Sequence, residues 1–184
     1  SRMIVTSAAT ANAIAELRTP ATRFWRGNSA GRGGFFHRTI FTTESVTALQ
    51  RGFIGFNAAG GATATTQSPS AQLNMVGIGW DSADTNLQIM SANASTGMKI
   101  DLGSLFPANN ANNVYEFTLF CPPNESYIKW QIVNLITGDR AEGTITTNLP
   151  SAATFLAYHA FINNGGTAAA VIMGLKIMYF ETDL

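Results

Sequence analysis

With 184 residues, the chain has room for one domain with a sizeable core and needs no disulfide or metal staple to hold it. Charged residues are 12% of the total against 46% hydrophobic, about half the charged share of a typical soluble domain, so much of the surface must be neutral or apolar, as at interfaces. Eleven basic residues balance eleven acidic ones, which excludes the basic stripe of a nucleic-acid binder and a polybasic membrane anchor.

Arginine outnumbers lysine eight to three, a bias suited to planar pairing at interfaces. No apolar run reaches the ~20 residues that span a bilayer, and no basic-then-apolar signal segment opens the sequence, so no membrane insertion is expected.

In chain order, residues 7–18 are alanine-rich. They fit either a short helix, capped by Ser7 or Thr10 and stopped before Pro20, or an extended arm. Residues 1–21 are read as this arm or junction, and residues 22–184 as a single domain. Trp25-Arg26-Gly27-Asn28-Ser29-Ala30-Gly31-Arg32-Gly33-Gly34-Phe35-Phe36 reads as a tight glycine-permitted crossing over a sheet, with Trp25 as a lid on the core. Its glycines have the wrong spacing for a phosphate cradle, and a strand rather than a helix follows. Residues 35–41 are apolar on both faces, which suits a central strand or one whose outer face meets a partner chain. Residues 58–71, small and glycine-rich, read as one long surface loop.

From here the period is two. A strand over residues 76–80 leads to the polar turn Asp81-Ser82-Ala83-Asp84-Thr85-Asn86. Met98, Ile100 and Leu102 alternate with Lys99 and Asp101; Tyr115, Phe117 and Leu119 alternate with Glu116 and Thr118. Proline at 122 and 123 ends that strand, because proline cannot donate to a central ladder. Ile128, Trp130 and Ile132 alternate with Lys129 and Gln131, and Thr137-Gly138-Asp139-Arg140 reads as the turn of a hairpin. Residues 155–162 and 171–180 are again apolar on both faces, and Asn163-Asn164-Gly165-Gly166 separates them as a second hairpin-like turn. The fold expected is all-β, an antiparallel sandwich of jelly-roll type. Its low charge and double-faced strands favour assembly with copies of itself.

Chemistry is sparse. Cys121, the one cysteine, sits in an apolar run and reads as a small buried core residue. His37 and His159 lie in apolar strands and supply no zinc spacing. No nucleophile elbow is present, and the eleven carboxylates nominate no pair of the kind glycosidases need. No cofactor is expected. Asp81, Asp84 and Asn86 offer three oxygen donors at a spacing that suits calcium. The loop lacks the glycine and terminal glutamate of an EF-hand, and a self-capped turn explains the same residues. Sugars dock on exposed rings flanked by a few polar groups. The candidates for such a glycan site are Trp25 with Arg26, Trp80 with Asp81, and Tyr158 and His159 with Asn163 and Asn164.

The Trp25–Phe36 segment resembles C-terminal domains of bacteriophage tail fibres and related tail proteins. Gly77-Ile78-Gly79-Trp80-Asp81-Ser82-Ala83-Asp84-Thr85-Asn86, Ile100-Asp101-Leu102-Gly103, Phe106-Pro107-Ala108-Asn109 and the ending Tyr179-Phe180-Glu181-Thr182-Asp183-Leu184 add to the likeness. It runs from about residue 22 to the end. The resemblance implies a homotrimeric tip on the rest of a virion tail fibre, assembled in host cytoplasm. That tip would bind bacterial surface polysaccharide (capsule or lipopolysaccharide) without catalysis. A purely structural trimerisation or capping module, or a polysaccharide depolymerase fragment, are the alternatives.

Overall fold

A computed structural model of the chain describes residues 1–45, 47–58 and 67–183. Twelve strands run through them: β1 (Met3–Thr6), β2 (Ile14–Arg18), β3 (Phe35–Thr43), β4 (Arg51–Asn57), β5 (Met75–Trp80), β6 (Gln88–Ala92), β7 (Gly97–Asp101), β8 (Tyr115–Cys121), β9 (Ile128–Asn134), β10 (Arg140–Ile145), β11 (Ala157–Asn163) and β12 (Ile172–Thr182). One 3-10 turn, Pro69–Ala71, precedes β5. All pairings are antiparallel, and they form two six-stranded sheets, β1-β12-β3-β8-β9-β10 and β2-β11-β4-β5-β6-β7. We call them the first and second sheet. The expected all-β antiparallel sandwich is the fold observed.

The two inner faces supply the core. On β8, Tyr115, Phe117 and Leu119 point in and are fully buried, as the period-two pattern requires; Ile128 and Ile132 do the same on β9. Phe56 sits among rings from both sheets, with Phe24, Phe35, His37, Tyr158 and Phe180 at centroid distances of 4.5–6.2 Å. The double-faced runs take interior positions: β3 lies between β12 and β8, β11 between β2 and β4, and β12 between β1 and β3.

Their second faces have different fates. On β11 every residue is buried. Its outward Phe161 joins Phe53, Met75, Met90 and Ala92 in a small second core, and the 3-10 turn lies against β4, β5, β6 and β7. The chain therefore covers that side itself. On β12 a bulge at Lys176 shifts the register between Leu175 and Ile177. Because one extra residue reverses which side chains face inward, Met178 and Phe180 pack on the core after Met173 and Leu175. Ile177 and Tyr179 are left on the outside, Tyr179 at 47% exposure.

Several expectations change. Residues 14–18 form the edge strand β2, paired with β11 from Ile14↔Asn163 to Arg18↔His159, so the helical reading of residues 7–18 fails; the strand partner supplies hydrogen bonds that a short isolated helix cannot match. Residues 3–6 pair with β12 as the edge of the first sheet. The Gly138 turn joins β9 to β10 as a hairpin, with Gly138 at φ 83°. The Asn163–Gly166 segment does not make a hairpin, because β11 and β12 belong to different sheets; it carries the chain across the sandwich. Of the loop expected over 58–71, residues 59–66 lie outside the described residues.

Candidate functional site

Side chains alternate across a strand, so the register of the first sheet fixes what its outer face presents. Three cross-strand rows run from β12 to β10: Glu181–Phe36–Phe120–Lys129–Thr144, Tyr179–Arg38–Thr118–Gln131–Glu142, and Ile177–Ile40–Glu116–Val133–Arg140. Rings fall on neighbouring strands. Phe36 and Tyr179 meet edge to face at 6.0 Å, and Phe120 stands beside Phe36 at 43% exposure.

Over β8, β9 and β10 this face forms a groove of about 430 Å³, lined by Thr118, Phe120, Lys129, Trp130, Gln131, Glu142, Gly143 and Thr144. Beneath the groove the Trp130 side chain turns to the inner face and lies over Gly143, where a Cβ would come within 2.7 Å of the indole ring. Most charges nearby are paired. Arg38 meets Glu116 at 2.7 Å. Arg140 donates to Glu142 and Gln131 Nε2 donates to it at 3.2 Å, and those hydrogen bonds hold the Glu142 carboxyl below the usual carboxylate range. Lys129 Nζ lies 5.8 Å from the centre of the Tyr127 ring. The groove thus offers one free ring edge, hydroxyls, an amide, one ammonium and one neutralised carboxylate, a set that suits the apolar face and hydroxyls of a sugar.

The residues nominated from sequence lie elsewhere, and most are committed to the fold. Trp25 is buried; its ring stacks on Phe155 at 5.0 Å and its indole N–H donates to the Asp183 carbonyl at 3.3 Å. The Arg26 guanidinium donates to the carbonyls of Pro150 and Glu125 at 2.9 and 2.6 Å and so pins two loops. Trp80 and Tyr158, each 1% exposed, face the core and show no ring to a ligand. Asn164 is fully buried, its amide donating to the carbonyls of Ala8, Thr10 and Ala169. Asn163 donates to Asn12 O and accepts from Gly165 N–H. Both asparagines fasten the crossing segment rather than reach solvent.

His159 is buried on the outward side of the second sheet. Its Nε2 lies 3.0 Å from Glu16 Oε2, and Asn57 Nδ2 lies 3.0 Å from its Nδ1; a neutral ring with the proton on Nε2 satisfies both contacts. Arg18 Nη2 is 3.2 Å from both ring nitrogens, and Asn57 also bonds Gln72. Burial, then Arg18, push the imidazole down to about 4 against the pull of Glu16. His37 is likewise held at about 4 by burial. Burial pushes the Cys121 thiol up to about 11, which leaves it a poor nucleophile.

At Asp81, Asp84 and Asn86, where the sequence admits either calcium or a self-capped turn, a lysine stands between the two aspartates. Lys99 Nζ lies 3.0 Å from Asp81 and 2.8 Å from Asp84. Partial burial opposes its charge, but hydrogen bonds to Asp84 and Asp81 outweigh this and raise its pKa. Asp81 also accepts from Ser70 N–H and O–H, and Asn86 turns away to Asp101 at 3.0 Å. The cation position is filled by the chain's own ammonium.

The groove escaped sequence reasoning although signals existed. Phe120 is apolar in the outward phase of β8, after Glu116 and Thr118, and the Gly138 turn fixes the register that sets Lys129 opposite Thr144.

No family model matches the chain, and no curated protein matches it. Solved structures do. A protein of unknown function from Shewanella oneidensis MR-1 superposes with TM-score 0.64 at 16% identity, over 100% of this chain and 70% of that one. Peanut lectin superposes with TM-score 0.65 at 11% identity, over 98% and 85% of the two chains. An alginate lyase of polysaccharide lyase family 7 superposes with TM-score 0.57 at 13% identity, over 99% and 80%. The chain therefore has the two-sheet sandwich fold that these lectins and lyases share.

Proposed function

We propose that the chain is a non-enzymatic glycan-binding module, the receptor-recognising tip of a bacteriophage tail fibre that attaches the virion to bacterial capsule or lipopolysaccharide. The observation that carries this reading is the open groove on the first sheet, where the exposed Phe120 ring stands among Thr118, Gln131, Glu142 and Thr144. A fold shared with lectins supports it. So do two segments that carry the tail-fibre resemblance and meet in space: Thr182 donates to Gly34 O at 2.9 Å and Trp25 donates to Asp183 O.

Hydrolysis by a carboxylate pair has little to work with in the groove. The groove is lined by a single carboxylate, Glu142, already neutralised by Arg140, whereas glycosidases set two carboxyls across the bond they break. Three copies would pack through the strip of β12, β3 and β1 that bears Ile177, Ile40 and Ile4, with Ile4 52% exposed. That arrangement leaves the β8–β10 groove open and repeats a weak site three times.

Binding of the purified chain to surface polysaccharides, on arrays and on whole bacteria, tests the function. Phe120→Ala should weaken binding about tenfold, the scale of one lost ring contact. Failure to bind any polysaccharide refutes the reading, and release of unsaturated or reducing ends makes the chain a depolymerase. A sedimentation mass near the 19.6 kDa of one chain refutes the trimer.

A further inference from the structure

We infer that the groove is built for an acidic sugar, with Lys129 as the residue that reads its carboxylate. This rests on the glycan reading of the groove and goes beyond it by naming the class of sugar. Around the first sheet's outer face Arg2, Arg38 and Arg140 are matched to Glu44, Glu116 and Glu142. Lys129 and Lys176 are not, and of these two only Lys129 lines the groove. Among the described residues no carboxylate lies within ion-pair distance of it, and its neighbour is the Tyr127 ring, a contact worth little when exposed. Its stem stands between Phe120 on β8 and Thr144 on β10.

Directly paired residues on adjacent strands stand about 5 Å apart at Cβ, close to the width of one pyranose ring. A sugar lying on Phe120 therefore places a ring substituent at Lys129 Nζ, and a carboxylate is the substituent that gains most there, through a charge-assisted hydrogen bond. Glu142 stands one residue pair further along, diagonal to Lys129. Arg140 is already paired to it, so that end holds no unmatched cation for a second carboxylate, while the Glu142 oxygens accept from sugar hydroxyls. The groove thus sorts by position: acid at the Lys129 end, hydroxyls at the Glu142 end.

The test uses the full chain and defined probes: hexamers of galacturonate and of hyaluronan, the same hexamers after carboxyl reduction, and neutral oligosaccharides. Titration calorimetry should show binding of the acidic hexamers, about tenfold weaker after carboxyl reduction. Lys129→Gln should match that loss and flatten the salt dependence, and Lys129→Arg should restore most of the affinity. Equal binding of native and reduced hexamers, an unchanged Lys129→Gln variant, or no binding of any acidic hexamer overturns the inference. If neutral sugars still bind and Phe120→Ala abolishes that binding, the acidic preference falls while the glycan reading stands. If no sugar of either kind binds, both fall.

Discussion

Stability should drop as the solution is acidified from neutral pH, and His37 is one of the two buried histidines that cause it. The ring is fully buried on the inner face of β3, stacked on Phe180 at 5.0 Å, with Nδ1 3.2 Å from the Tyr179 carbonyl. Burial lowers its pKa from 6.5 to about 4. Between those values the unfolded chain takes up a proton that the folded chain refuses, so the folded state loses ground as pH falls. A shift of that size corresponds to about 3 kcal/mol by pH ~4, a large part of the 5–15 kcal/mol typical of a domain. His159 is lowered in the same direction and adds to the slope. Asp101 and Glu142, whose pKa values are lowered, lose their contributions only below the ordinary carboxylate range. Urea unfolding followed by tryptophan fluorescence from pH ~7.5 to ~4.5 reads the slope directly. His37→Gln keeps a donor near Tyr179 O but cannot titrate, so it should be less stable at neutral pH and shallower in its pH dependence. A wild-type stability that stays flat to pH ~4.5, or a variant with the full slope, would refute the assignment.

Phe56→Ala should cost about 3–5 kcal/mol in the same urea assay, since the ring is fully buried and touches five others. Gly77→Ala should cost about 2 kcal/mol, because its Cβ would stand 2.4 Å from Ile54 O and 2.8 Å from the Phe53 ring. Gly138→Ala, at φ 83° with open space around it, should cost only about 1 kcal/mol of backbone strain. Lys99→Met should lower the melting temperature by the equivalent of about 1 kcal/mol by leaving Asp81 and Asp84 to repel. Calcium chloride should raise the melting temperature of that variant and leave the wild type unchanged, since Lys99 holds the cation position.

Period-two runs announced the parts of the fold whose inner and outer faces differ. Residues 115–119 and 128–132 were legible because one face is core and the other is not. Strands β1, β2, β4 and β6 were not, since β4 and β6 bury glycine and polar residues (Arg51, Asn57, Gln88, Ser91) among their apolar ones and the edge strands β1 and β2 are short and depend on tertiary pairing. The Lys176 bulge was invisible because it breaks the very periodicity used to read β12. The site was harder. Trp80, Tyr158 and His159 drew notice as rings beside polar residues, but sequence proximity cannot say which sheet face a ring takes, and the core took the first two. Phe120 ends an alternating run whose inward members are core, and an apolar residue at one outward position does not by itself mark a binding face.

Low charge pointed to apolar surface beyond what one sandwich hides, and the two sheets resolve that surplus differently. The second sheet disposes of it internally: glycines at 55, 77 and 79 make room for Phe53, and the fold covers Phe53, Met75, Met90 and Phe161. The first sheet leaves its surplus open, as Phe120, Tyr179 and Ile4 stand 43–52% exposed, and most nearby charges are cancelled in pairs. A ligand approaching this face meets rings, amides and hydroxyls with little long-range field to steer it. Binding there would rest on contact rather than on attraction at a distance. Lys129 is the one charge lining the groove that has no ion-pair partner among the described residues, and such a charge discriminates between ligands more than it strengthens their binding.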